Sequence, residues 1–260
     1  MAQMSGRTEE TEVADRLEQL AASGWPPREL EWLGTWRLRA NDGVTTRANS
    51  VLAAGPFPEG DWLAIVEHFY RERGLRPCFH VSESSPQELD GLLAAAGYEI
   101  SMNCLLLAAS SQDVLQRSTV YEADDVELVY KAGPVESWMD AFLRMEGFPE
   151  ERRAGYTSIF TAMPTPKAFA AIYEAGEPVG LATVVIEKGR AGISNVVVDA
   201  RHRRKGIAGR LLRALASWAI ENGAEGMHLQ VLANNAPALE LYNKLGFTVV
   251  SEYHYRVLNS

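Results

Sequence analysis

The chain has 260 residues, of which 47% are hydrophobic and 23% charged, and its formal net charge is −9. This length suits one large domain or two small ones, and the composition predicts a globular core. The acidic balance argues against nucleic-acid binding, and the absence of a long apolar run or a signal-peptide pattern argues against a membrane partner.

In the first half, the spacing of apolar residues predicts a helix at 11–22. Strands at 32–39 and 45–52 flank Asn41-Asp42-Gly43, a sequence typical of a hairpin turn. Further patterns predict a helix at 61–73, a strand at 77–82, a helix at 86–96 and a strand at 98–108. The polar stretch 110–119 is interpreted as a connector.

The second half is predicted to follow the order β-α-α-β-β-β-α-β-α-β. These elements are a strand at 126–132, helices at 135–146 and 150–163, strands at 167–175, 179–187 and 191–198, a helix at 210–222, a strand at 228–232, a helix after Asn235 and a strand at 248–258. Cys78 and Cys104 lie in apolar stretches without metal-ligand spacing. We therefore expect buried thiols, no metal and a cytoplasmic protein.

The stretch 196–212 is the most informative part of the chain. Val196, Val197 and Val198 suit a strand covered on both faces, and leucines at helical spacing follow it. Glycine lets the backbone approach a ligand closely, and the start of a helix offers free N–H groups. The basic loop between strand and helix therefore predicts a pyrophosphate seat. Its candidate residues are Arg203, Arg204, Lys205, Gly206, Ile207, Ala208 and Gly209.

The spacing matches neither a dinucleotide fingerprint nor a P-loop. It reads R-x-x-G-x-A through Arg203, Gly206 and Ala208, which resembles the acetyl-CoA loop of the GNAT superfamily of acyl-CoA N-acyltransferases. Downstream, the GNAT pattern N-x-x-A-x-x-L-Y-x-x-x-G-F is matched by Asn235, Ala238, Leu241, Tyr242, Gly246 and Phe247.

The resemblance implies an α/β (α+β) fold with a mixed central sheet flanked by helices, and acetyl-CoA as the acyl donor. It implies direct attack of an amine on the thioester within a ternary complex. The backbone of Val196 and Val198 would bind the pantetheine arm, and an N–H near Val197 would meet the oxyanion. Asn235 would cap its helix and contact the cofactor, and Tyr242 would protonate the leaving thiolate.

Glu187, at the end of a predicted strand, is the candidate general base, although a solvated carboxylate in the turn with Lys188 and Gly189 is the simpler interpretation. Alternating residues of the last strand present two faces, one of which should line the acceptor cleft. Other polar residues that could reach the cleft are Glu146, Ser194, His228, Gln230 and His254.

An internal repeat relates the two halves of the chain. Gly74 and Gly97 stand 23 positions apart, as do Gly223 and Gly246, and each pair encloses a strand, a polar turn and a helix. The constant offset of 149 positions (74 to 223 and 97 to 246) predicts a duplication.

The duplication predicts an N-terminal GNAT-like domain at 1–115 and a catalytic GNAT domain at 120–260. Bulk and negative charge at the first copy's loop predict a degenerate copy that binds no acyl-CoA. At the same offset, the functional positions of the second copy correspond to Ala54, Phe57, Glu59, Pro86 and Leu93. With Trp36-Arg37-Leu38-Arg39 and the run at 46–51, the chain resembles a bacterial subfamily of tandem GNAT proteins.

Three functions remain open from sequence. The first is an N-acetyltransferase for a small-molecule amine, acting as a monomer or homodimer. The second is a protein N-terminal or lysine acetyltransferase, and the third is a non-catalytic acyl-CoA sensor or partner-binding module. An intact loop with Tyr242 favours catalysis, and a groove capped by the degenerate copy favours a small substrate. An aromatic stripe at 135–163 could line the acceptor pocket, although core packing is commoner for such a stripe.

Overall fold

The computed structural model describes residues 9–118 and 126–259. Its helices are α1 Glu9–Ser23, α2 Trp62–Arg71, α3 Leu89–Ala95, α4 Ser111–Arg117, α5 Glu136–Glu146, α6 Arg153–Ala162, α7 Ile207–Glu221 and α8 Ala236–Lys244. Its strands are β1 Glu29–Leu33, β2 Trp36–Ala40, β3 Val51–Leu52, β4 Cys78–Ser82, β5 Tyr98–Ser110, β6 Val126–Lys131, β7 Lys167–Glu174, β8 Glu177–Glu187, β9 Arg190–Val198, β10 Gly226–Leu232 and β11 Thr248–Leu258. These eleven strands form one sheet in the order β1-β2-β3-β4-β11-β5-β10-β9-β8-β7-β6. The predicted mixed α/β fold is confirmed.

Every predicted element of the second half is present in the predicted order. In the first half the hairpin was misplaced. The chain reverses at Gly34, which has a φ of +60°, so Leu33 pairs with Trp36 and the single strand predicted at 32–39 is two strands. Asn41-Asp42-Gly43 instead opens a loop that contains a 3₁₀ turn at Thr46–Ala48.

The interpretation of 110–119 as a polar connector is wrong in part, because this stretch contains helix α4. The Ser110 hydroxyl accepts from the Asp113 N–H at 3.2 Å and so caps the helix. Val114 of α4 is fully buried in the core beneath α7. Position 119, the last of the predicted connector, lies outside the described residues.

The last strand of each half is inserted into the other half's part of the sheet. Strand β11 lies between β4 and β5, and β5 lies between β11 and β10, with all three pairings antiparallel. Each half is thus completed by hydrogen bonds from the other.

The strand order also repeats between the halves. β1-β2-β3-β4 and β7-β8-β9-β10 are each an antiparallel run that ends in a parallel pair, β3 with β4 and β9 with β10. This repetition agrees with the predicted duplication. The division at 1–115 and 120–260 stays a prediction, and hydrogen bonds of the sheet cross it.

Helices cover both faces of the sheet. One face carries α7, α8 and α4 over a core centred on Leu211, Leu212 and Leu215, and it also carries α2 and α3. The opposite face carries α5 and α6, together with α1 over the middle of the sheet. We call this second surface the α1 face, because the polar interior described below lies beneath α1.

Some chemical possibilities are absent from the described ranges. None of the described helices has both the length and the apolar composition needed to cross a membrane. No group of three or more histidine, cysteine, aspartate or glutamate side chains in 9–118 and 126–259 is placed to hold a metal ion. Cys78 and Cys104 are buried free thiols, as predicted, and burial raises the pKa of Cys78 to about 12.

Candidate active site

Two neighbouring parallel strands separate in the middle of the sheet. β9 and β10 are paired from Arg190 with Gly226 to Ile193 with Leu229, and the pairing then stops. The remainder of each strand therefore has backbone N–H and C=O groups that face a gap. A gap of this kind can accept an extended ligand that pairs with strand backbone.

A β-bulge reshapes β9 where the gap begins. On the β8 side, Ser194 pairs with Thr183 and the next pairing is Val197 with Leu181, so two residues of β9 oppose one of β8. Asn195 has a φ of +55°, and its side-chain amide donates to the Thr183 hydroxyl at 2.8 Å. The bulge leaves backbone groups at 195–196 outside the regular ladder and directs the Val197 side chain into the α5–α6 core.

The basic loop that follows β9 ends at an uncapped helix start. Arg204 and Gly206 have φ values of +63° and +78°, and Gly206 precedes α7 without a side-chain cap. The first helical hydrogen bond runs from the Arg210 N–H to the Gly206 carbonyl at 3.0 Å, so the three preceding N–H groups have no partner within the helix. The cationic side chains of the loop are solvent-exposed at Arg203, Arg204 and Lys205.

An internal ion pair fixes the beginning of this loop. Both carboxylate oxygens of Asp199 accept from Arg201 at 3.0 Å, and these bonds hold the pKa of Asp199 well below its usual range. The Nε2 atom of His202 lies 2.8 Å from the Glu174 carboxylate on β7. The loop is thus tied to the sheet at its start. Of the cations after it, Arg203 donates to the Val198 carbonyl at 3.4 Å and Lys205 lies 4.0 Å from the Glu174 carboxylate, but all these side chains remain exposed to solvent.

Helix α8 brings the predicted tyrosine into the same core as β9 and α7. The Asn235 side chain accepts from the Ala238 N–H at 3.3 Å and caps the helix, as predicted. Tyr242 is 8% exposed and belongs to the cluster that contains Ile207, with Val196 and Val198 packed against it. Burial raises the pKa of Tyr242 to about 12, so its phenol keeps its proton at neutral pH.

Glu187 is not brought to the start of the gap. It pairs with Arg190 at the hairpin between β8 and β9, four residues along β8 from Thr183, or about 13 Å at the usual strand rise. Its Oε2 atom is buried and has no hydrogen-bond partner in the described ranges.

The other polar candidates lie in three different places. His254 lies 2.6 Å from Asp90, which also pairs with Arg256, so this side chain fastens β11 to α3. Glu146 lies toward Arg203, whose charge opposes the upward shift that burial gives the pKa of Glu146. Ser194, His228 and Gln230 meet around a small cavity of about 10 Å³ on the α1 face.

The residues that sequence reasoning missed come from the first half of the chain. Arg47 and α1 close the cavity that holds Ser194, His228 and Gln230, and Arg39 and Glu18 lie behind it. No periodicity or spacing marks an arginine in a turn as the lining of a cavity, so no signal in the residues could have placed Arg47 there.

The aromatic stripe of α5 and α6 packs as core. Trp138, Phe142 and Phe160 are at most 1% exposed, and the Trp138 indole donates to the Ala170 carbonyl at 3.0 Å. These rings do not line an open pocket.

Comparison with known proteins agrees with this geometry. Residues 11–257 match the family described as "Probable histone acetyltransferase Rv0428c C-terminal". The chain is 42% identical over 244 residues to the uncharacterized N-acetyltransferase YobR of Bacillus subtilis (strain 168). The aligned residues cover 93% of this chain and 97% of YobR. A shorter match of 59 residues, 23% of this chain and 34% of that protein, is 41% identical to the streptothricin acetyltransferase of Escherichia coli. A GCN5-related N-acetyltransferase from Kribbella flavida superposes with a TM-score of 0.70 and 20% identity, over 98% of this chain and 97% of that chain.

The fold, the separated strands and the basic loop before α7 define the class of GNAT-type N-acetyltransferases. Within that class, the chain belongs to the family of the Rv0428c C-terminal region, of which YobR is a relative along nearly its whole length. It is therefore an acyl-CoA-dependent acetyltransferase.

Proposed function

We propose that this protein transfers an acetyl group from acetyl-CoA to the primary amine of a small molecule, by direct attack within a ternary complex. One observation carries the proposal. The gap between β9 and β10 leads directly into a loop with three exposed cations and an uncapped helix start. Strand backbone for an amide-containing arm and N–H groups for a diphosphate therefore lie end to end.

The loop residues fit the diphosphate of the donor. The free N–H groups of Ile207, Ala208 and Gly209 and the positive end of the helix dipole favour an anion at the start of α7. A Cβ placed on Gly209 would meet no other part of the described chain within 4 Å, so the approach is open. Arg203, Arg204 and Lys205 would add charge around the same seat, with Val196 and Val198 lining the arm and Asn235 at its far side.

Two groups of the chain are suited to the chemical step. When bound, acetyl-CoA supplies an acetyl group activated as a thioester for attack by the amine nitrogen. An N–H of the bulge near Val197 would donate to the developing oxyanion. The Tyr242 phenol, whose pKa is about 12, holds a proton that it can give to the departing thiolate.

Among the described residues that line the cavity beside the gap, none is a strong base for the proton of the amine. Burial, Arg190 and Arg47 lower the pKa of His228 to about 4, so its imidazole is too weak a base to deprotonate an ammonium group at neutral pH. We therefore propose that the amine reacts from its neutral form, which it reaches in water before it binds. As the C–S bond breaks, the Tyr242 phenol would give its proton to the thiolate, and the surplus proton of the nitrogen would return to the phenolate, so that the net transfer is from amine to thiol. A catalytic role for Glu187 stays a prediction.

Residues of the first half cover the gap on the α1 face, where the acceptor would bind. This cover supports a small acceptor. Leu20, Ala21 and Gly24 of the α1 region and Arg47 close the cavity beside the gap. The matched family description names a probable histone acetyltransferase, whereas the matched streptothricin acetyltransferase is named for a small molecule. A cavity closed in this way favours a small acceptor over an extended peptide.

The test compares acceptors in the presence of acetyl-CoA. Release of the CoA thiol is measured with a panel of small amines and with lysine-containing peptides at matched concentration. The proposal expects turnover with at least one small amine and none above background with the peptides. Turnover of peptides alone would establish the alternative function.

A further inference from the structure

Two arginines of the first half are held inside the protein beside the gap. Arg39 is 2% exposed, and its guanidinium donates to the backbone carbonyl and the hydroxyl of Ser50, both at 2.9 Å. Arg47 is partly exposed, and its Nη1 atom donates to the Gln230 side chain at 3.0 Å. The Arg47 guanidinium also lies 4.0 Å from the centre of the Trp25 ring, a cation–π contact. Both arginines line one small cavity beneath α1.

Neither guanidinium has an anionic partner within the described ranges. No carboxylate of residues 9–118 or 126–259 forms an ion pair with Arg39 or Arg47. Glu18 lines the same cavity, but its carboxylate accepts from three hydroxyls instead, at 2.8 to 2.9 Å. These hydroxyls belong to Ser82, Ser84 and Ser251. Arg39 is buried and Arg47 is partly exposed, and two neighbouring cations without a counter-charge are unfavourable, so the site is electrostatically incomplete.

The incomplete site adjoins the place where the acceptor must react. Ser194 and Gln230 are the first residues of β9 and β10 beyond the last paired positions, and both line a cavity with Arg47. On the outer side, Thr46 lines an open groove of about 360 Å³. A second groove of about 410 Å³ shares the wall at 100–102 with the first and reaches the end of β10. Arg47 thus lines the cavity at the start of the gap, and its chain neighbour Thr46 lines an open groove.

The turn that carries Arg47 is held rigidly. The Thr45 hydroxyl accepts from the Ala48 N–H at 3.2 Å and from the Trp25 indole at 3.1 Å. The Asn49 side chain accepts from two backbone N–H groups and donates to two backbone carbonyls of the same loop. This bonding fixes the turn, and the contacts with Gln230 and Trp25 hold the guanidinium before a ligand arrives, which lowers the entropy cost of binding.

We propose that Arg47 binds a carboxylate of the acceptor, with Arg39 as a second positive charge behind it, so that the acceptor is an amino acid or another amine that carries a carboxylate. This inference rests on the proposed function and narrows its substrate class. The carboxylate would supply the missing counter-charge. The first half of the chain would then select the acceptor, while the second half binds acetyl-CoA and carries out the transfer. Burial and Arg39 keep the pKa of His80 well below its usual range, so that side chain adds no competing positive charge.

The test compares L-amino acids, including lysine and ornithine, each with its own carboxamide, by release of the CoA thiol from acetyl-CoA. The α-amine of a carboxamide is less basic than that of the parent amino acid, so a larger fraction of the carboxamide is in the neutral form at a given pH. If the two bound equally well, the carboxamide would therefore react faster than the acid. We expect kcat/KM for the preferred acid to exceed that for its amide by at least about tenfold, the usual effect of a charge-assisted hydrogen bond.

Three variants test whether Arg47 causes the preference. Arg47→Gln should remove the preference for the acid over its amide, mainly by raising KM for the acid, and Arg47→Lys should keep part of the preference. Arg73→Gln is the control, because it removes a surface cation paired with Glu29 and Glu31 and should leave the preference unchanged. Acetyl-CoA affinity, measured by calorimetry, should be the same in all three. Arg47→Gln should unfold close to the temperature of the parent, because the loss of the contacts with Gln230 and Trp25 is offset by the removal of an unpaired positive charge beside Arg39.

The outcomes separate the inference from the function on which it rests. Amides acetylated as well as acids would overturn the carboxylate site while leaving an acetyltransferase. If acetyl-CoA binds but no member of the panel is acetylated, the carboxylate site is likewise overturned and the assignment as an acetyltransferase remains. Failure to bind acetyl-CoA would overturn the proposed function itself. If Arg47→Gln does not fold, the comparison of acid with amide in the parent protein still decides.

Discussion

Tyr253, in the last strand of the chain, pairs across the sheet with Ser82 of β4 and on its other side with Cys104 of β5. Both neighbours of β11 therefore belong to the first half. Conversely, β5 of the first half completes the sheet beside β10. The gap that begins between β9 and β10 is supported by a strand from the other half, so the candidate active site depends on the whole chain.

The first prediction concerns the independence of the two halves. A fragment of residues 120–260 should fail to fold alone, because β11 would lose both partners and β10 would become an exposed edge. Circular dichroism should show no cooperative thermal transition for this fragment. Co-expression with a fragment of residues 1–118 should restore one. A cooperative transition in 120–260 alone would contradict the interdependence of the halves.

The second prediction concerns the diphosphate seat. Gly206→Asp should weaken acetyl-CoA binding by at least about 100-fold, because it places a negative charge where the helix start favours an anion. Part of the change is backbone strain, since the φ at Gly206 is +78°. Gly97→Asp is the matched control, with a φ of +88° and open space around its Cβ position. Equal affinity in the two variants would place the donor elsewhere.

The third prediction concerns the proton donor. Tyr242→Phe should lower kcat by about 100-fold, within the usual range for loss of a general acid, and leave acetyl-CoA affinity unchanged. Tyr130→Phe is the control, because burial also raises the pKa of that phenol to about 12 but Tyr130 lies on β6, away from the gap. Full activity of Tyr242→Phe would reduce this tyrosine to a packing role.

The fourth prediction concerns Glu187. Because this side chain lies about 13 Å along β8 from the start of the gap, Glu187→Gln should change kcat by less than about twofold. The rise of kcat/KM with pH should follow the pKa of the free amine in both proteins. A hundredfold loss of kcat, or a shifted pH profile, would instead establish Glu187 as the base.

The fifth prediction concerns the clamp between α3 and β11. Hydrogen bonds from Arg256, with a contribution from His254, lower the pKa of Asp90 to about 2. A carboxyl whose folded pKa is depressed stabilises the fold above its unfolded pKa of about 4, and this contribution is lost as the pH falls toward 2. The clamp is partly exposed, so Asp90→Asn should cost on the order of 1 kcal/mol at pH 7. Denaturant unfolding at pH 7, 4 and 3 should show this difference shrinking, and a constant difference would contradict the assignment.

The second half was predictable because its local signals agree with one another. The valine run of β9, Gly206 before α7 and Asn235 before α8 each mark a boundary by their own chemistry, and the structure has each boundary within a few residues. The first half was less predictable. Asn41-Asp42-Gly43 has hairpin composition, but the four hydrogen bonds of the Asn49 side chain hold that segment in a loop.

The exchange of strands could not be predicted from spacing. The repeat indicates which strands correspond, but β5 and β11 have the same alternating pattern whether each pairs within its own half or with the other. The position of Arg47 was unpredictable for a similar reason, because its neighbours Trp25 and Gln230 come from distant parts of the chain. The donor side of the candidate site is therefore largely local in sequence, whereas the acceptor side is assembled by the fold.

The most direct measurement is a calorimetric titration of the full-length protein with acetyl-CoA, fitted for stoichiometry. Our account predicts one molecule bound per chain, at the loop that contains Gly206, and loss of that binding in Gly206→Asp. Two molecules per chain would contradict a degenerate first half. The absence of binding would contradict the assignment of the loop as the donor seat.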